Sequence, residues 1–229
     1  MQQLQKLHSA QTNKNEEECV IYSIGSANSW GFEEEVFDKT NCRVETFDCT
    51  VDLKRIKIPA RLEGRVRFHH ICLSHSDYSY QGRKYVSWQT LHTITGLKTS
   101  PTFLKMDIEG YEFPVMISIV NSGVQLPLQI AMELHLERWE KGRGVFDRRV
   151  NSLELYSFAS FLYRFGGYYL IDRNDNRNCP HCTELVLAKL DCRNFPLQRQ
   201  YQQMFLNVSQ QHHLFATAVD YSLKAPYYT

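Results

Sequence analysis

Phe103-Leu104-Lys105-Met106-Asp107-Ile108-Glu109-Gly110-Tyr111-Glu112 decides the reading of this chain. Its front half is mostly apolar and runs directly into two acids and a glycine. A strand buried on both faces of a parallel sheet reads as an apolar run. In open α/β sheets, ligands bind just beyond the carboxyl ends of such strands. Asp107 and Glu109 therefore stand where chemistry is usually done. The plain alternative is a strand followed by an acidic turn that starts the next helix, because acids favour helix N-termini in any case.

The same alternation extends in both directions. Cys19 to Ile24 reads as a first strand and Gly25 to Gly31 as a turn. Phe32 to Thr40 reads as a short helix with Phe32, Val36 and Phe37 on one face. Arg43 to Phe47 is a second strand ending at Asp48, and Val66 to Leu73 a third. Ser87 caps a helix through Leu91 and Ile94 that stops near Gly96. The Phe103 strand is the fourth. Pro114 then sits in the first turn of a helix carrying Val115, Met116, Ile119 and Val120, with Gly123 just past its end. Leu128 to Leu134 is a fifth strand. After a charged stretch, Glu137 to Val150, an amphipathic helix starts at Ser152 and ends at Gly166-Gly167. Tyr168 to Asp172 and Thr183 to Leu190 are the sixth and seventh strands.

Strands alternating with helices imply parallel pairing through right-handed crossovers. The loop from Arg173 to Cys182 is too short for a helical crossover, so the last two strands form an antiparallel hairpin. The expected fold is α/β: a Rossmann-like three-layer sandwich whose seven-stranded sheet is mostly parallel, with an antiparallel final strand. Residues 1–18 read as a flexible arm and 19–192 as the domain. Residues 193–229 read as an aromatic-rich extension packed back onto it.

The totals narrow the function classes. The chain has 229 residues, 43% hydrophobic and 22% charged, the make-up of a soluble protein with a full core. A net charge of +1 gives no pull toward nucleic acid or a membrane surface. No apolar run approaches the roughly 18 residues of a membrane span. The polar start lacks the centre of a signal peptide. The compartment is left open between the cytoplasm and a secretory route with an earlier leader removed. Seven cysteines, an odd number, argue against a fully paired secreted framework. Cys19 and Cys72 sit in apolar contexts and read as buried thiols. Asn207-Val208-Ser209 fits a glycosylation acceptor, though so short a pattern often arises by chance.

The first turn, Gly25-Ser26-Ala27-Asn28-Ser29-Trp30-Gly31, joins a strand to a helix. Its glycine lets the backbone turn sharply and approach a ligand, and the next helix offers free amides. Asp48 ends the next strand 23 positions after Gly25. That is near the ~20 expected for an acid gripping a ribose diol. Ala27 replaces the second glycine of a dinucleotide fingerprint, which speaks against a pyrophosphate ligand.

Taken in order, Val20-Ile21-Tyr22-Ser23-Ile24-Gly25-Ser26, Glu45-Thr46-Phe47-Asp48 and the Leu104-to-Glu112 stretch resemble an FkbM-type methyltransferase. This is a branch of the class I S-adenosylmethionine-dependent enzymes, and the chain resembles in particular its metazoan methyltransferase-like members. The resemblance runs roughly from Cys19 to Leu190. Ser23 stands where many members of the class carry an acid, and Ala27 where they carry glycine. By this resemblance the cofactor is S-adenosylmethionine. Gly25 and Ser26 approach its methionine part, Asp48 binds its ribose, Ser74 lies near its adenine, and Asp107 faces the sulfonium and the substrate. The expected acceptor is a hydroxyl-bearing small molecule or glycan-like compound.

Glu133 and His135 share a face by the period-two rule. His135 is the expected base toward a hydroxyl, with Asp107 and Glu109 as its catalytic companions. Asp107 with Glu133 or His135 offers a divalent-cation site as an alternative, and a structural histidine is a third reading; the site is read here without a metal. Cys179-Pro180-His181-Cys182 resembles a redox motif but precedes a strand instead of opening a helix, so a local disulfide or two packed thiols fits better. Arg138, Lys141, Arg143, Arg148 and Arg149 fall in a loop at the ligand edge, as a substrate contact or a solvated surface. His69 and His70 face opposite ways, one toward core and one toward surface. Two rival functions remain: a binding module of this fold without turnover, and a nucleotide-dependent oxidoreductase.

Overall fold

Val20, Tyr22 and Ile24 pack into one hydrophobic cluster, and Ile21 into another. That division is the reason the first strand reads as a continuous apolar run: both of its faces are covered. The computed structural model describes residues 19–136, 150–176, 179 and 181–189. Its main sheet has seven strands in the order β3-β2-β1-β7-β8-β10-β9. These are β1 (Val20–Ile24), β2 (Arg43–Phe47), β3 (Val66–His69), β7 (Phe103–Met106), β8 (Gln129–His135), β9 (Tyr168–Asp175) and β10 (Cys182–Lys189). The pairs β3-β2, β2-β1, β1-β7 and β7-β8 are parallel, and β10 runs antiparallel to both its neighbours. The expected sheet is observed, with its one reversed strand last in sequence and second from the edge.

One face carries α1 (Gly31–Lys39), whose Val36 joins Ile21, Val44 and Val66. The other carries α2 (Trp88–Thr95), α3 (Glu112–Asn121) and α4 (Ser152–Phe161), which bury Trp88, Leu91, Val115, Met116 and Phe158. Ser87 caps α2 by accepting from the Thr90 amide, and Gly96 ends it in the left-handed conformation, φ 66°. The helix from Ser152 widens into a π turn over Leu162–Gly166 before Gly167.

Two expectations fail. The third strand does not continue to Leu73. Chain direction changes after His69, and β4 (Cys72–Leu73) joins a separate three-stranded sheet with β6 (Arg83–Val86) and β5 (Tyr78–Tyr80), in the order β4-β6-β5. His70 thus lies outside the strand, so the opposite-face rule does not govern the pair. Both histidines are half-buried, His69 against Glu45 at 2.6 Å and His70 against the Val51 carbonyl at 3.0 Å.

Nor are Cys19 and Cys72 thiols. Cys19 is bonded to Cys42, and Cys72 to Cys49. The first pair meets because adjacent parallel strands start side by side, with the Arg43 amide donating to the Cys19 carbonyl at 3.0 Å. The second meets where the chain just past β2 runs against β4, the Cys49 amide donating to Cys72 Sγ at 3.3 Å. Cys179 and Cys182 form the local disulfide. The arm 1–18, the basic loop residues Arg138, Lys141, Arg143, Arg148 and Arg149, and the extension 193–229 lie outside the described residues.

Candidate active site

Ile24, Phe47 and Met106 are register partners across three parallel strands. The residues that follow them, Gly25, Asp48 and Asp107, therefore emerge side by side at the carboxyl edge. They line one cavity of about 700 Å³, with Glu109, Glu133, His135 and the Cys179–Cys182 disulfide at one end and Tyr80, Arg83 and Tyr85 at another.

Gly25 is held where only glycine fits. Its φ is +78°, and a Cβ there would lie 1.7 Å from the Asp107 carbonyl oxygen. The turn beyond it is left-handed at Ala27 and Asn28. That geometry aims the Ala27 amide at Asp48 Oδ2, 2.8 Å away. The Thr50 amide and hydroxyl donate to Oδ1 at 2.7 and 2.6 Å. A carboxylate offers about four acceptor positions. Asp48 is thus locked in place with acceptor capacity left for a ligand hydroxyl.

Lys105 Nζ donates to the carbonyls of Gly25 at 2.5 Å and Ile24 at 3.4 Å, and lies 3.9 Å from Asp107 Oδ2. Asp107 Oδ1 is buried and has no hydrogen-bond partner among the described residues. Burial raises the Asp107 carboxyl to about 6, with Glu133 and Glu109 adding repulsion and Lys105 and His135 opposing it.

Glu112 organises the other end. It is fully buried at the start of α3 and accepts from the Ile108 and Gly110 amides, both at 3.0 Å. It also holds His135 Nδ1 at 3.0 Å. The loop it ties down is tight: Glu109 is left-handed at φ 55° and Gly110 at φ 97°. His135 Nε2 lies 3.4 Å from Glu109. Burial alone would lower His135, but the Glu112 hydrogen bond and charge, with Glu109 and Asp107, hold it up at about 9. Glu133 accepts from the Asn176 side chain at 2.9 Å.

Of the residues expected at the site, Gly25, Asp48, Asp107, Glu109 and His135 share the cavity. Ser26 and Ser74 are buried just behind its wall, Ser74 bonded to the Tyr78 hydroxyl at 3.3 Å. Sequence reasoning passed over Glu112 and the tyrosine wall. Tyr85 stacks on Tyr78 with ring centroids 4.6 Å apart and lies 6.4 Å from Tyr111.

A family model described as a methyltransferase domain matches residues 6–189. The chain belongs to this methyltransferase family. Among solved structures it is similar to the FkbM methyltransferase of Methylobacillus flagellatus KT, at 13% identity and a TM-score of 0.50, over 75% of this chain and 44% of that one. The chain thus spans less than half the length of that protein. The Methanococcus jannaschii fibrillarin pre-rRNA processing protein scores 0.48 at 9% identity, over 76% and 67% of the two chains. LepI, solved in complex with SAM, scores 0.45 at 11% identity, over 82% and 46%. No curated protein is matched by sequence. Membership of a methyltransferase family keeps S-adenosylmethionine as the cofactor. The site suits it in one respect: Asp48 is pre-oriented with acceptor capacity to spare.

Proposed function

We propose that this methyltransferase methylates a hydroxyl oxygen of a small-molecule or glycan-like acceptor, in an oxidising compartment. The observation that carries the reading is the Asp107 carboxylate, which lines one cavity with Gly25 and Asp48. Bound S-adenosylmethionine supplies an electrophilic methyl group. In this proposal the Gly25 backbone borders its methionine part, and Asp48 accepts from its ribose hydroxyls. Ser26 and Ser74, behind the wall, support the flanking turn and the adenine side. The Asp107 carboxylate accepts the acceptor's O–H hydrogen bond, aligns the oxygen for in-line attack and takes its proton as the C–O bond forms and the C–S bond of the cofactor breaks, leaving S-adenosylhomocysteine.

His135 was the expected base. Held up at about 9, it is an imidazolium at neutral pH and has no free lone pair for a proton. Its role in this reading is to hold Glu109 and to face the reacting centre as a positive hydrogen-bond donor. The disulfides Cys19–Cys42 and Cys49–Cys72 support this choice of compartment, since such bonds are rare where thiols are kept reduced.

The test is transfer of labelled methyl from S-adenosylmethionine to a panel of saccharide, phenolic and aliphatic alcohols under non-reducing conditions. The wild type labels at least one class. Asp107→Asn lowers turnover by about 100-fold or more while cofactor affinity stays within about threefold. Tight cofactor binding with no transfer to any acceptor would favour the binding module instead. Nothing in the cavity favours the oxidoreductase.

A further inference from the structure

We propose that Asp107, Glu109 and His135 form a site for one divalent transition-metal cation, on which the acceptor hydroxyl is seated. One donor atom from each of the three lies within 4.8 Å of the others. Neighbouring donors on one ion at ~2.1–2.3 Å stand ~3.0–3.8 Å apart, and His135 Nε2 and Glu109 Oε2 already have that spacing at 3.4 Å.

The donors are also oriented. His135 is almost wholly buried, and its Nδ1 is engaged by Glu112 at 3.0 Å. Glu112 is itself held by two backbone amides. A carboxylate behind an imidazole is the arrangement that aims the second ring nitrogen at a metal. Here that nitrogen points toward Glu109, 3.4 Å away. Asp107 contributes a carboxylate whose Oδ1 is buried and receives no hydrogen bond among the described residues. The neighbouring ammonium does not bond to it: Lys105 donates to the Gly25 and Ile24 carbonyls and lies 3.9 Å from Oδ2.

A second trio, Glu133, His135 and Cys182, has the same spacing. It is the weaker candidate, since the Cys182 sulfur is bonded to Cys179 and Glu133 already accepts from Asn176. One imidazole and two carboxylates suit manganese, iron or zinc better than calcium or a soft monovalent ion. Three protein donors leave coordination positions open. The ion takes the place of the proton on His135 Nε2, and a hydroxyl bound to it becomes more acidic. The seating of the acceptor rests on the methyl-transfer reading; the cation site itself does not.

The experiment uses the full chain, freed of metal with chelator and dialysed, titrated with Mn²⁺ followed by electron paramagnetic resonance. Cofactor binding is measured in parallel by calorimetry. The expected result is one Mn²⁺ per chain, weakened tenfold or more by Glu109→Gln and by Asp107→Asn, with cofactor affinity little changed by Glu109→Gln. Glu109 is largely exposed, so its replacement leaves the fold intact. No saturable Mn²⁺ binding, or binding that survives Glu109→Gln, overturns the proposal; the second outcome would place the ion elsewhere, as on His212-His213. Cofactor binding without metal binding removes this site and leaves the function standing. Metal binding that depends on Glu109 in a chain that ignores S-adenosylmethionine keeps the site and removes the function.

Discussion

The two ends of the cavity are specified by different physics. At the β1–β7 edge the constraint is backbone against backbone: Gly25 lies so close to Asp107 that no side chain fits between them. At the β8 end the constraint is charge: a buried imidazole is held between Glu112 and Glu109. The first kind of specification is all-or-none and indifferent to solution conditions. The second can be titrated. One cavity thus combines a rigid half for a ligand of constant shape with a half whose charge answers to pH and bound ions.

The largest expected effect breaks the rigid half. Gly25→Ala places a carbon 1.7 Å from a carbonyl oxygen at a φ of +78°, so the first turn or the end of β7 must move. Strain and overpacking together should cost on the order of 3–5 kcal/mol. Calorimetry should find no cofactor binding, and the melting temperature should fall. A Gly25→Ala protein that binds S-adenosylmethionine normally would show that this edge is not the constrained half.

The charged half predicts a pH effect. The folded-state value of His135, about 9, lies above its ordinary 6.5. Its contribution to stability is therefore fully present below pH 6.5 and is lost as pH rises through about 9, a difference of about 3 kcal/mol. Asp107, also raised, has its midpoint at about pH 6, so only the tail of its titration falls in this window. In chelator, denaturant melts at pH 6.5 and 9.5 should show the wild type losing that much more than His135→Gln. Equal losses in the two proteins would mean that the Glu112–His135 pair does not hold a proton.

The rigid half was also the legible half. Val20–Ile24 and Phe103–Met106 are buried on both sides and cannot tolerate polar interruption, so they read as strands with acids or glycine at their ends. The charged half was read in part. Period-two alternation found His135, but Glu112 looked like one more acid at a helix start, and its burial depends on the tertiary fold. The small sheet was missed because its strands are only two to four residues long. A signal was present: Gln81-Gly82 joins Tyr78-Ser79-Tyr80 to Arg83-Lys84-Tyr85, and both turn residues have positive φ, 49° and 75°, as a two-residue hairpin requires. The disulfides were hidden by the odd cysteine count, because pairing depends on which strand ends meet.

Those disulfides allow a controlled version of the same comparison. Cys19–Cys42 and Cys49–Cys72 both span 23 positions, so chain entropy assigns them equal stabilisation, about 3 kcal/mol each. They differ in place: the first joins the amino ends of β1 and β2, and the second ties the segment after Asp48 to β4, with Cys72 in the cavity wall. Removing either pair by Cys→Ser should lower the melting temperature similarly, by roughly 6–12 °C. Only loss of Cys49–Cys72 should also weaken cofactor binding. Equal binding losses would mean that both act through global stability.

The smallest expected effect is at Asp48, and its size is informative. The carboxylate already accepts from the Ala27 amide and from the amide and hydroxyl of Thr50. Those bonds hold the first turn closed over the end of β2, so Asp48→Ala removes both a ligand contact and a brace. Asp48→Asn keeps one amide-accepting oxygen and removes the charge. If Asp48 grips a ribose diol, Asp48→Ala should weaken S-adenosylmethionine by about tenfold, roughly 1.4 kcal/mol. Asp48→Asn should lie between that and wild type. If Asp48 serves only as a brace, both variants should lower the melting temperature while affinity at low temperature is preserved. Measuring affinity and melting on the same samples separates the two, and shows whether the rigid half acts through its shape alone or also through a direct bond to the cofactor.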